Sequence, residues 1–343
     1  MEVLAIIPAR CGSKSIISKN IRLFNGKPLL AHSIDHAKQS RLINRIIVST
    51  DSIEYQEIAK RYGAETPFLR PIDISGDLST DLEVFDHALN WLKRKDNYIP
   101  ELIVHLRPTT PIRQSIDIDN CIEILINNAQ IDSVRSVVKA PNTPFKMWFK
   151  EDRGLIKPVI IDKKNSESHS SPRQLLQPVY LQNASIDVVR YKTIIDKHSM
   201  VGDLCYGYVM NKNIDIDYGY QWNSAEIQSK LNEKSPKTYC FDIDGILANL
   251  VPDNAYDKAT PIIENIDLVN KLHNEGNKII LYTARGSKTG IDWSGLTKRQ
   301  LSKWNVKYHE LDIGKKPAAD FYVDDRFIDL EFLRNINKEK LNE

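Results

Sequence analysis

Strand and helix signals alternate along the first 140 residues, and this alternation restricts the fold more than any other feature. The strand at Val3–Pro8 is continuously apolar, and residues 102–106 form a second, largely apolar strand. Between them, apolar residues at helical spacing predict a helix over Asp81–Lys95. Strands that are apolar on both faces are typical of a parallel sheet covered by helices on each side. We therefore expect an α/β domain.

The chain is long enough for two domains, and its composition changes twice. Residues 141–177 are rich in Pro, Ser, Lys and Asn without a clean period, which predicts a lid or an arm. Residues 229–237 are polar and contain a proline, and a second strand–helix series follows them. We expect a first domain at 1–228, a linker at 229–237 and a second domain at 238–343.

Charge and composition exclude several classes of protein. Lys plus Arg is 47 and Asp plus Glu is 45, so the net charge of +2 argues against a nucleic-acid-coating protein or a polybasic membrane binder. No apolar run approaches the roughly 18 residues of a membrane span, and the N-terminus indicates a strand rather than a signal peptide. The four cysteines are scattered and form no metal or disulfide pattern. A cytoplasmic enzyme without nucleic-acid or membrane partners is expected.

The loop that follows the first strand, residues 9–20, is basic. It carries Arg10, Lys14 and Lys19, together with the small residue Ser13. Loops that leave the carboxyl ends of parallel strands form the ligand crevice of open α/β sheets, and three cations can neutralise a triphosphate. The alternative, from charge alone, is a solvated basic loop.

Two acidic residues near the end of the first domain have the spacing of a metal site. Asp215 and Asp217 stand at i and i+2 in I-D-I-D. If this segment is a strand, both carboxylates point the same way, and oxygen ligands suit Mg²⁺. The alternative is a solvated strand face.

The basic loop and several later motifs together resemble one enzyme family. The pattern I-P-A-R-x-G-S-K-x-I-x-x-K-N opens the chain, and S-T-D, F-L-R-P, L-R-P-T-T-P-I-R, P-R-Q and I-D-I-D follow in order. This set, covering about residues 1–228, is similar to the acylneuraminate cytidylyltransferases. The resemblance implies a Rossmann-like nucleotidyltransferase that transfers CMP from CTP to an acceptor with help from Mg²⁺. It implies nucleotide-binding roles for Arg10, Ser13, Lys14, Lys19, Asn20 and Arg70, with Arg10 and Lys19 catalytic and Asp215 and Asp217 on the metal.

The departures from the family pattern concern the acceptor. Arg107 replaces the usual Gln, Asp187 the usual Tyr, and Asp81 the usual Ser. Lys146 and Arg173, which in the family face the acceptor carboxylate, are retained. The resemblance therefore implies an anionic acceptor, a sugar acid or a polyol phosphate. Arg107 motivates the hypothesis that this acceptor carries more negative charge than N-acetylneuraminate or has a different shape.

The second domain carries a second set of motifs. They are F-D-I-D-G at 241–245, Y-T-A-R-G at 282–286, G-K-K-P at 314–317 and V-D-D at 323–325. A carboxylate after a strand, with a second one two residues on, can attack phosphorus and protonate the leaving alcohol.

This set resembles the haloacid dehalogenase-like phosphatases, in particular a subgroup associated with capsule polysaccharide biosynthesis. The resemblance implies a small, nearly capless Rossmannoid domain. In it Asp242 would be the nucleophile and Asp244 the general acid and base, and Thr283 and Lys316 would bind phosphate. The metal ligands would be Asp242, Asp244 and Asp324. Lys315 is the rival of Lys316, and Ile246 departs from the usual Thr.

The sequence thus predicts a bifunctional, Mg²⁺-dependent enzyme of surface-polysaccharide precursor synthesis that hydrolyses a phosphomonoester as well. A homodimer is expected, because relatives of the first domain commonly dimerise through an arm like residues 141–177. Two alternatives stay open: a non-catalytic C-terminal scaffold or dimerisation domain, and a purely binding or regulatory protein.

Overall fold

A computed structural model describes residues 1–163, 165–211, 215–232 and 235–314. The chain divides into two compact units, Met1–Ser229 and Lys230–Glu343. The division falls at the start of the predicted linker 229–237, although a helix continues to Asn232. Within the described residues, every helix is too short or too polar to cross a lipid bilayer.

The first unit contains ten strands and six helices in its described residues. The strands are β1 (Val3–Pro8), β2 (Leu23–Phe24), β3 (Lys27–Pro28), β4 (Arg45–Ser49), β5 (Leu102–His105), β6 (Ser133–Lys139), β7 (Trp148–Lys150), β8 (Ile156–Pro158), β9 (Tyr180–Arg190) and β10 (Cys205–Val209). The helices are α1 (Leu29–Gln39), α2 (Ile53–Arg61), α3 (Asp81–Lys95), α4 (Ser115–Asn127), α5 (Tyr191–Ile195) and α6 (Gly219–Asn232). Helix α6 was not predicted from the sequence.

The central sheet has six strands in the order β10-β6-β9-β5-β1-β4. The expectation of a purely parallel sheet is wrong at one strand, because β9 runs antiparallel to both of its neighbours. The chain reaches β9 from the arm at 141–177 rather than through a crossover helix, and only a crossover would restore the parallel direction. This pairing sets His105 of β5 opposite Asp187 of β9.

Apolar packing on both faces of the sheet explains the continuous apolar strands. Successive side chains of a strand point to opposite faces. In β1, Ala5 and Ile7 pack in one buried cluster with α1 and α4, and Leu4 and Ile6 pack in another with α3. All four are fully buried. A third, smaller cluster, which we call the loop cluster, consists of Ile16, Phe24, Leu29, Ile216, Trp222 and Ala225.

Local signals also explain where the helices begin. Helix α3 starts at the predicted residue because Thr80 and Glu83 form a reciprocal capping box at its N-terminus. In the predicted arm, the short hairpin β7–β8 and three single helical turns are the regular elements of the described residues. Apolar side chains of this arm, including Phe149 and Ile161, are exposed.

The second unit contains a three-stranded parallel sheet within its described residues. Its elements are β11 (Thr238–Asp242), α7 (Ile263–Asn274), β12 (Lys278–Thr283), α8 (Ser294–Lys303) and β13 (Glu310–Ile313), and the strand order is β11-β12-β13. Strand β13 was not predicted. The strand expected at 321–323 lies outside the described residues.

Candidate active site

A cavity of about 490 Å³ opens in the first unit at the carboxyl ends of β1 and β5. Its wall brings together eight residues that the sequence analysis assigned to ligand binding: Arg10, Ser13, Lys14, Lys19, Asn20, Arg70, Arg107 and Asp217. Adjacent parallel strands deliver their loops to the same edge of a sheet, so residues almost a hundred positions apart converge here. The arrangement makes one wall basic and leaves carboxylates beside it.

Lys19 is the most enclosed cation of the loop after β1. It is 8% exposed, and its Nζ donates to the carbonyl oxygen of Ile216 at 2.8 Å and to Asp217 Oδ1 at 3.2 Å. The amide of Asn20 donates to the carbonyl oxygen of Arg10 at 2.9 Å and so braces the start of the loop. Lys19 is therefore held at a fixed point between the loop and the acidic segment.

Arg10 and Lys14 form the outer part of the loop. Arg10 Nη1 donates to Asp77 Oδ1 at 2.7 Å, and Lys14 Nζ pairs with the other oxygen of Asp77. Both cations are more exposed than Lys19, and the Lys14 side chain is 82% exposed. The two side chains therefore converge on one pair of anionic oxygens.

Asp215 and Asp217 stand beside Lys19, but not on a strand as expected. The described residues 215–218 are irregular, and the amide of Ile216 donates to the carbonyl oxygen of Thr109 at 2.8 Å. Burial raises the pKa of Asp215, and the nearby charge of Asp217 raises it further. Asp215 Oδ1 is buried without a hydrogen-bond partner.

These two carboxylates fit a magnesium ion. A buried carboxylate oxygen without a hydrogen-bond donor, beside a second carboxylate, is a suitable ligand for a cation. No group of three or more His, Cys, Asp or Glu side chains suited to a metal occurs among the described residues. Mg²⁺ usually takes one or two protein carboxylates and completes its shell with water and phosphate oxygens.

Arg70 lies in the cavity wall and is 5% exposed. Its Nη2 donates to the carbonyl oxygen of Ser49 at 2.6 Å. Burial lowers the pKa of Arg70, and this effect outweighs the nearby carboxylate of Asp51. The guanidinium is thus fixed at the end of β4, next to the loop after β1.

Arg107 is held between two carboxylates. Its Nη1 donates to Asp187 Oδ2 and its Nη2 donates to Asp81 Oδ2, both at 2.8 Å. The Asp187 side chain is 3% exposed and the Asp81 side chain 45% exposed. Burial alone would lower the pKa of Arg107, but the charges of Asp187 and Asp81 outweigh it and raise the pKa. The positive charge of Arg107 is therefore compensated within the protein.

His105 lies behind this pair and is fully buried. Its Nδ1 is 3.8 Å from carboxylate oxygens of both Asp81 and Asp187, and neither ring nitrogen has a hydrogen-bond partner. Burial lowers the pKa of His105 to about 3, and the positive charge of Arg107 acts in the same direction. The imidazole is therefore neutral at physiological pH.

Three of the four predicted acceptor-binding residues lie outside the cavity wall. Lys146 and Arg173 are exposed, and Arg173 Nη2 donates to Asn142 Oδ1 at 3.3 Å within the arm. Neither belongs to the lining of the cavity. Asp187 is not in the lining either, because it lies behind Arg107.

In the second unit, Asp242 and Thr283 end the neighbouring strands β11 and β12, and Asp244 follows Asp242. Thr283 Oγ1 donates to Asp244 Oδ2 at 3.0 Å. Arg285 Nη2 donates to Asp244 Oδ1 at 2.6 Å and its Nε to Asp244 Oδ2 at 2.9 Å. Three predicted residues thus meet at one sheet edge. Lys315, Lys316 and Asp324 lie outside the described residues.

Sequence reasoning missed the partners of the charged residues. Asp77, His105 and Arg285 were not assigned to a site. Asp77 lies in the segment just after F-L-R-P, His105 directly precedes the L-R-P motif, and Arg285 is the arginine of Y-T-A-R-G. Their place inside or beside these motifs was the available signal.

Comparisons with known proteins agree with the geometry of the first unit. The family model for cytidylyltransferases matches residues 4–147. A CMP-N,N'-diacetyllegionaminic acid synthase of Legionella pneumophila is 31% identical over 242 residues, which are 68% of this chain and 99% of that protein. A pseudaminic acid cytidylyltransferase and UDP-2,4-diacetamido-2,4,6-trideoxy-beta-L-altropyranose hydrolase of Helicobacter pylori is 34% identical over 152 residues, 44% of this chain and 29% of that protein.

A solved structure supports the fold. The CTP complex of a CMP:2-keto-3-deoxy-manno-octonic acid synthetase superposes with a TM-score of 0.51 at 11% identity, covering 68% of this chain and all of that one. This likeness confirms the α/β nucleotidyltransferase fold expected for the first domain. The family model and the near-complete coverage of the Legionella relative show that the chain belongs to the cytidylyltransferase family.

Proposed function

We propose that the first unit transfers CMP from CTP to an anionic sugar acid and releases pyrophosphate. The observation that carries this proposal is the convergence of Arg10, Lys14 and Lys19 with Asp217 on one cavity wall. Polyphosphates need several cations and a metal site, and a cytidylyltransferase needs both beside an acceptor pocket. The printed activities of the Legionella and Helicobacter relatives support the same reaction class.

The residues divide the chemistry as follows. Arg10 and Lys14 bind the phosphates that leave, Asn20 and Arg70 orient the nucleotide, and Lys19 stabilises the charge that develops at the reacting phosphorus. Asp215 and Asp217 would hold Mg²⁺, and the bound ion would neutralise charge on the phosphate oxygens. The acceptor hydroxyl attacks the α-phosphorus and loses its proton to the solvent as the bond between that phosphorus and the bridging oxygen of the β-phosphate breaks, so pyrophosphate departs with this oxygen.

The charge balance around Arg107 refines the acceptor hypothesis. Because Asp187 and Asp81 already neutralise this guanidinium, its presence does not require an acceptor with additional negative charge. We favour an acceptor of different shape, a sugar acid whose neutral polar groups meet Arg107 and Asp81. A polyol phosphate is the alternative that the experiment has to exclude.

The test is incubation with CTP, Mg²⁺ and a panel of acceptors, with products identified by mass. The panel contains N-acetylneuraminate, N,N'-diacetyllegionaminate, 2-keto-3-deoxy-manno-octonate and a polyol phosphate. We expect a CMP-linked sugar acid and equimolar pyrophosphate, both lost in Asp215→Asn and Lys19→Ala. Product from the polyol phosphate alone would refute the acceptor class, and an unchanged rate in both variants would refute the site.

A second activity, hydrolysis of a phosphomonoester by the second unit, is our proposal for residues 238–343. It is supported by Asp242 and Thr283 at the ends of adjacent parallel strands and by the hydrogen bond that Thr283 donates to Asp244. The rival is a non-catalytic scaffold. Phosphate release from a panel of phospho-sugars, abolished in Asp242→Asn without loss of CMP transfer, would support the phosphatase. No release from any of them would favour the scaffold.

We also propose a cytoplasmic homodimer. Phe149, Leu155, Ile161 and Leu175 of the arm are 61–79% exposed, and an apolar surface of this kind is typical of protein contacts. Sedimentation analysis should give twice the chain mass, and Phe149→Glu should lower it. A monomeric wild-type chain would contradict this part of the proposal.

A further inference from the structure

The carboxylate of Asp77 occupies the point at which two loop cations converge. One oxygen accepts a hydrogen bond from Arg10 Nη1 at 2.7 Å, and the other pairs with Lys14. Asp77 is 67 residues away from Arg10 in the sequence. Asp77, Arg10 and Lys14 all line the cavity. The hydrogen bond from Lys14 and then that from Arg10 lower the pKa of the Asp77 carboxyl, so the contact is between full charges at neutral pH.

A turn of the backbone presents Asp77 independently of these cations. The amide of Gly76 donates to Ser79 Oγ at 2.9 Å, and the amide of Ser79 donates to the carbonyl oxygen of Gly76 at 3.3 Å. Asp77 lies within this closed turn, just before α3 begins at Asp81. The carboxylate is therefore directed into the cavity by its own segment.

The same two cations are the residues that we assign to the phosphates of CTP. A carboxylate and a phosphate offer the same kind of acceptor to arginine and lysine. Both anions on the same pair of cations would place like charges within a few ångströms of each other, which is unfavourable. The Asp77 pairs are also partly exposed, with side-chain exposures of 33%, 38% and 82% for Arg10, Asp77 and Lys14, and such pairs are weak enough to be displaced.

We propose that Asp77 is an internal competitor of the phosphate groups: its carboxylate exchanges with the triphosphate on Arg10 and Lys14 and returns to them as pyrophosphate leaves. This inference rests on the proposed role of these two cations. Its consequence is that Asp77 weakens the binding of substrate phosphates and of product, and so favours the release of pyrophosphate at the end of each turnover.

The test is Asp77→Asn in the full chain. We would measure the binding of inorganic pyrophosphate by calorimetry in the presence of a chelator, so that metal ligation by the carboxylate does not contribute. Removing a partly exposed competitor should tighten the Kd by about three- to tenfold, and the gain should shrink at high salt. The KM for CTP should fall by a similar factor. Asp77→Ser is a second variant in case the amide forms new contacts.

Asp73→Asn is the matched control. It makes the same change of charge four positions away, and the Asp73 carboxylate forms no ion pair within the described part of the chain. We expect a change below about twofold in this variant. Pyrophosphate binding that is no tighter in Asp77→Asn and Asp77→Ser than in Asp73→Asn would overturn the inference.

Lys14→Ala separates this inference from the proposed function. Weaker pyrophosphate binding in Lys14→Ala, with no tightening in the Asp77 variants, would keep the phosphate site and reject the competitor. Unchanged binding in Lys14→Ala would reject the assignment of the site itself. If neither the wild type nor the Asp77 variants bound pyrophosphate, both ideas would fall.

Discussion

Replacing the buried carboxylate behind Arg107 should destabilise the first unit strongly. In Asp187→Asn the shape is kept, but the 2.8 Å pair with Arg107 and the 3.6 Å contact with Arg135 lose their negative charge. With an effective dielectric constant of about 20, one pair at this distance is worth about 6 kcal/mol before desolvation is subtracted. Removing one partner of a buried pair costs about 3–5 kcal/mol, because the other charge stays buried.

Urea unfolding followed by tryptophan fluorescence measures this loss. For an m-value of about 2–3 kcal/mol/M, the midpoint of the first unit should fall by about 1–2.5 M. The Arg107→Gln/Asp187→Asn double variant should be more stable than the sum of the single effects predicts, because it leaves no unpaired cation at position 107.

The functional readout is separate from stability. Asp187 is bonded to Arg107 and not to the cations of the loop after β1. Asp187→Asn should therefore raise the KM for the acceptor and leave the KM for CTP nearly unchanged. A midpoint shift below about 0.3 M, or strictly additive variants, would show that our account of the buried pair is wrong.

Two further predictions concern buried charged or titratable groups. The folded-state pKa of His105 is about 3 and its unfolded value about 6.5, so the folded protein is stabilised fully above about pH 6.5 and loses about 1.4 kcal/mol per pH unit as the pH falls towards 3. His105→Gln should reduce the slope of the unfolding free energy against pH in this range by the contribution of one proton. The exposed His198→Asn should leave the slope as in the wild type, and equal slopes in all three proteins would contradict the assignment. In the second unit, Arg285→Ala should cost about 3–5 kcal/mol, because Arg285 is 1% exposed, bonds Asp244 twice and stacks on Tyr256 at 4.6 Å. Calorimetry should show one transition shifted and the other unmoved. Arg285→Lys should rescue little, because the lysine ammonium lacks the planar fork that bonds both oxygens of Asp244 in parallel; full rescue would argue against the bidentate pair.

Much of the first unit follows from short-range pattern. Val3–Pro8 and Asp81–Lys95 have the predicted bounds, since both are decided by local periodicity and, for the helix, by its capping box. The direction of β9 could not be predicted in the same way. Its residues are equally compatible with either direction, and the choice depends on the route that the chain takes through residues 141–177.

The candidate site divides along the same line. The loop after β1 could be assigned because its cations are close in sequence, and because a loop that leaves the carboxyl end of a parallel strand lies at the ligand crevice of the sheet. The charge compensation of Arg107 could not be predicted, because Asp187 is 80 residues away and reaches Arg107 through the antiparallel pairing of β5 with β9. The resemblance marked each of these residues as a departure, but only the fold shows that Arg107 is bonded to both Asp81 and Asp187.

The loop cluster joins the loop after β1 to the acidic segment at residues 215–217. Ile16 belongs to the loop after β1, and Ile216 lies between Asp215 and Asp217. Both side chains are buried in this one small cluster, apart from the larger apolar clusters on the two faces of the sheet. Small satellite clusters open at lower free energy than the main core of a domain. Warming would then unfold the basic loop and the acidic segment together, in a single local transition. Activity would be lost at a temperature at which the central sheet is still folded, and bound nucleotide would raise that temperature.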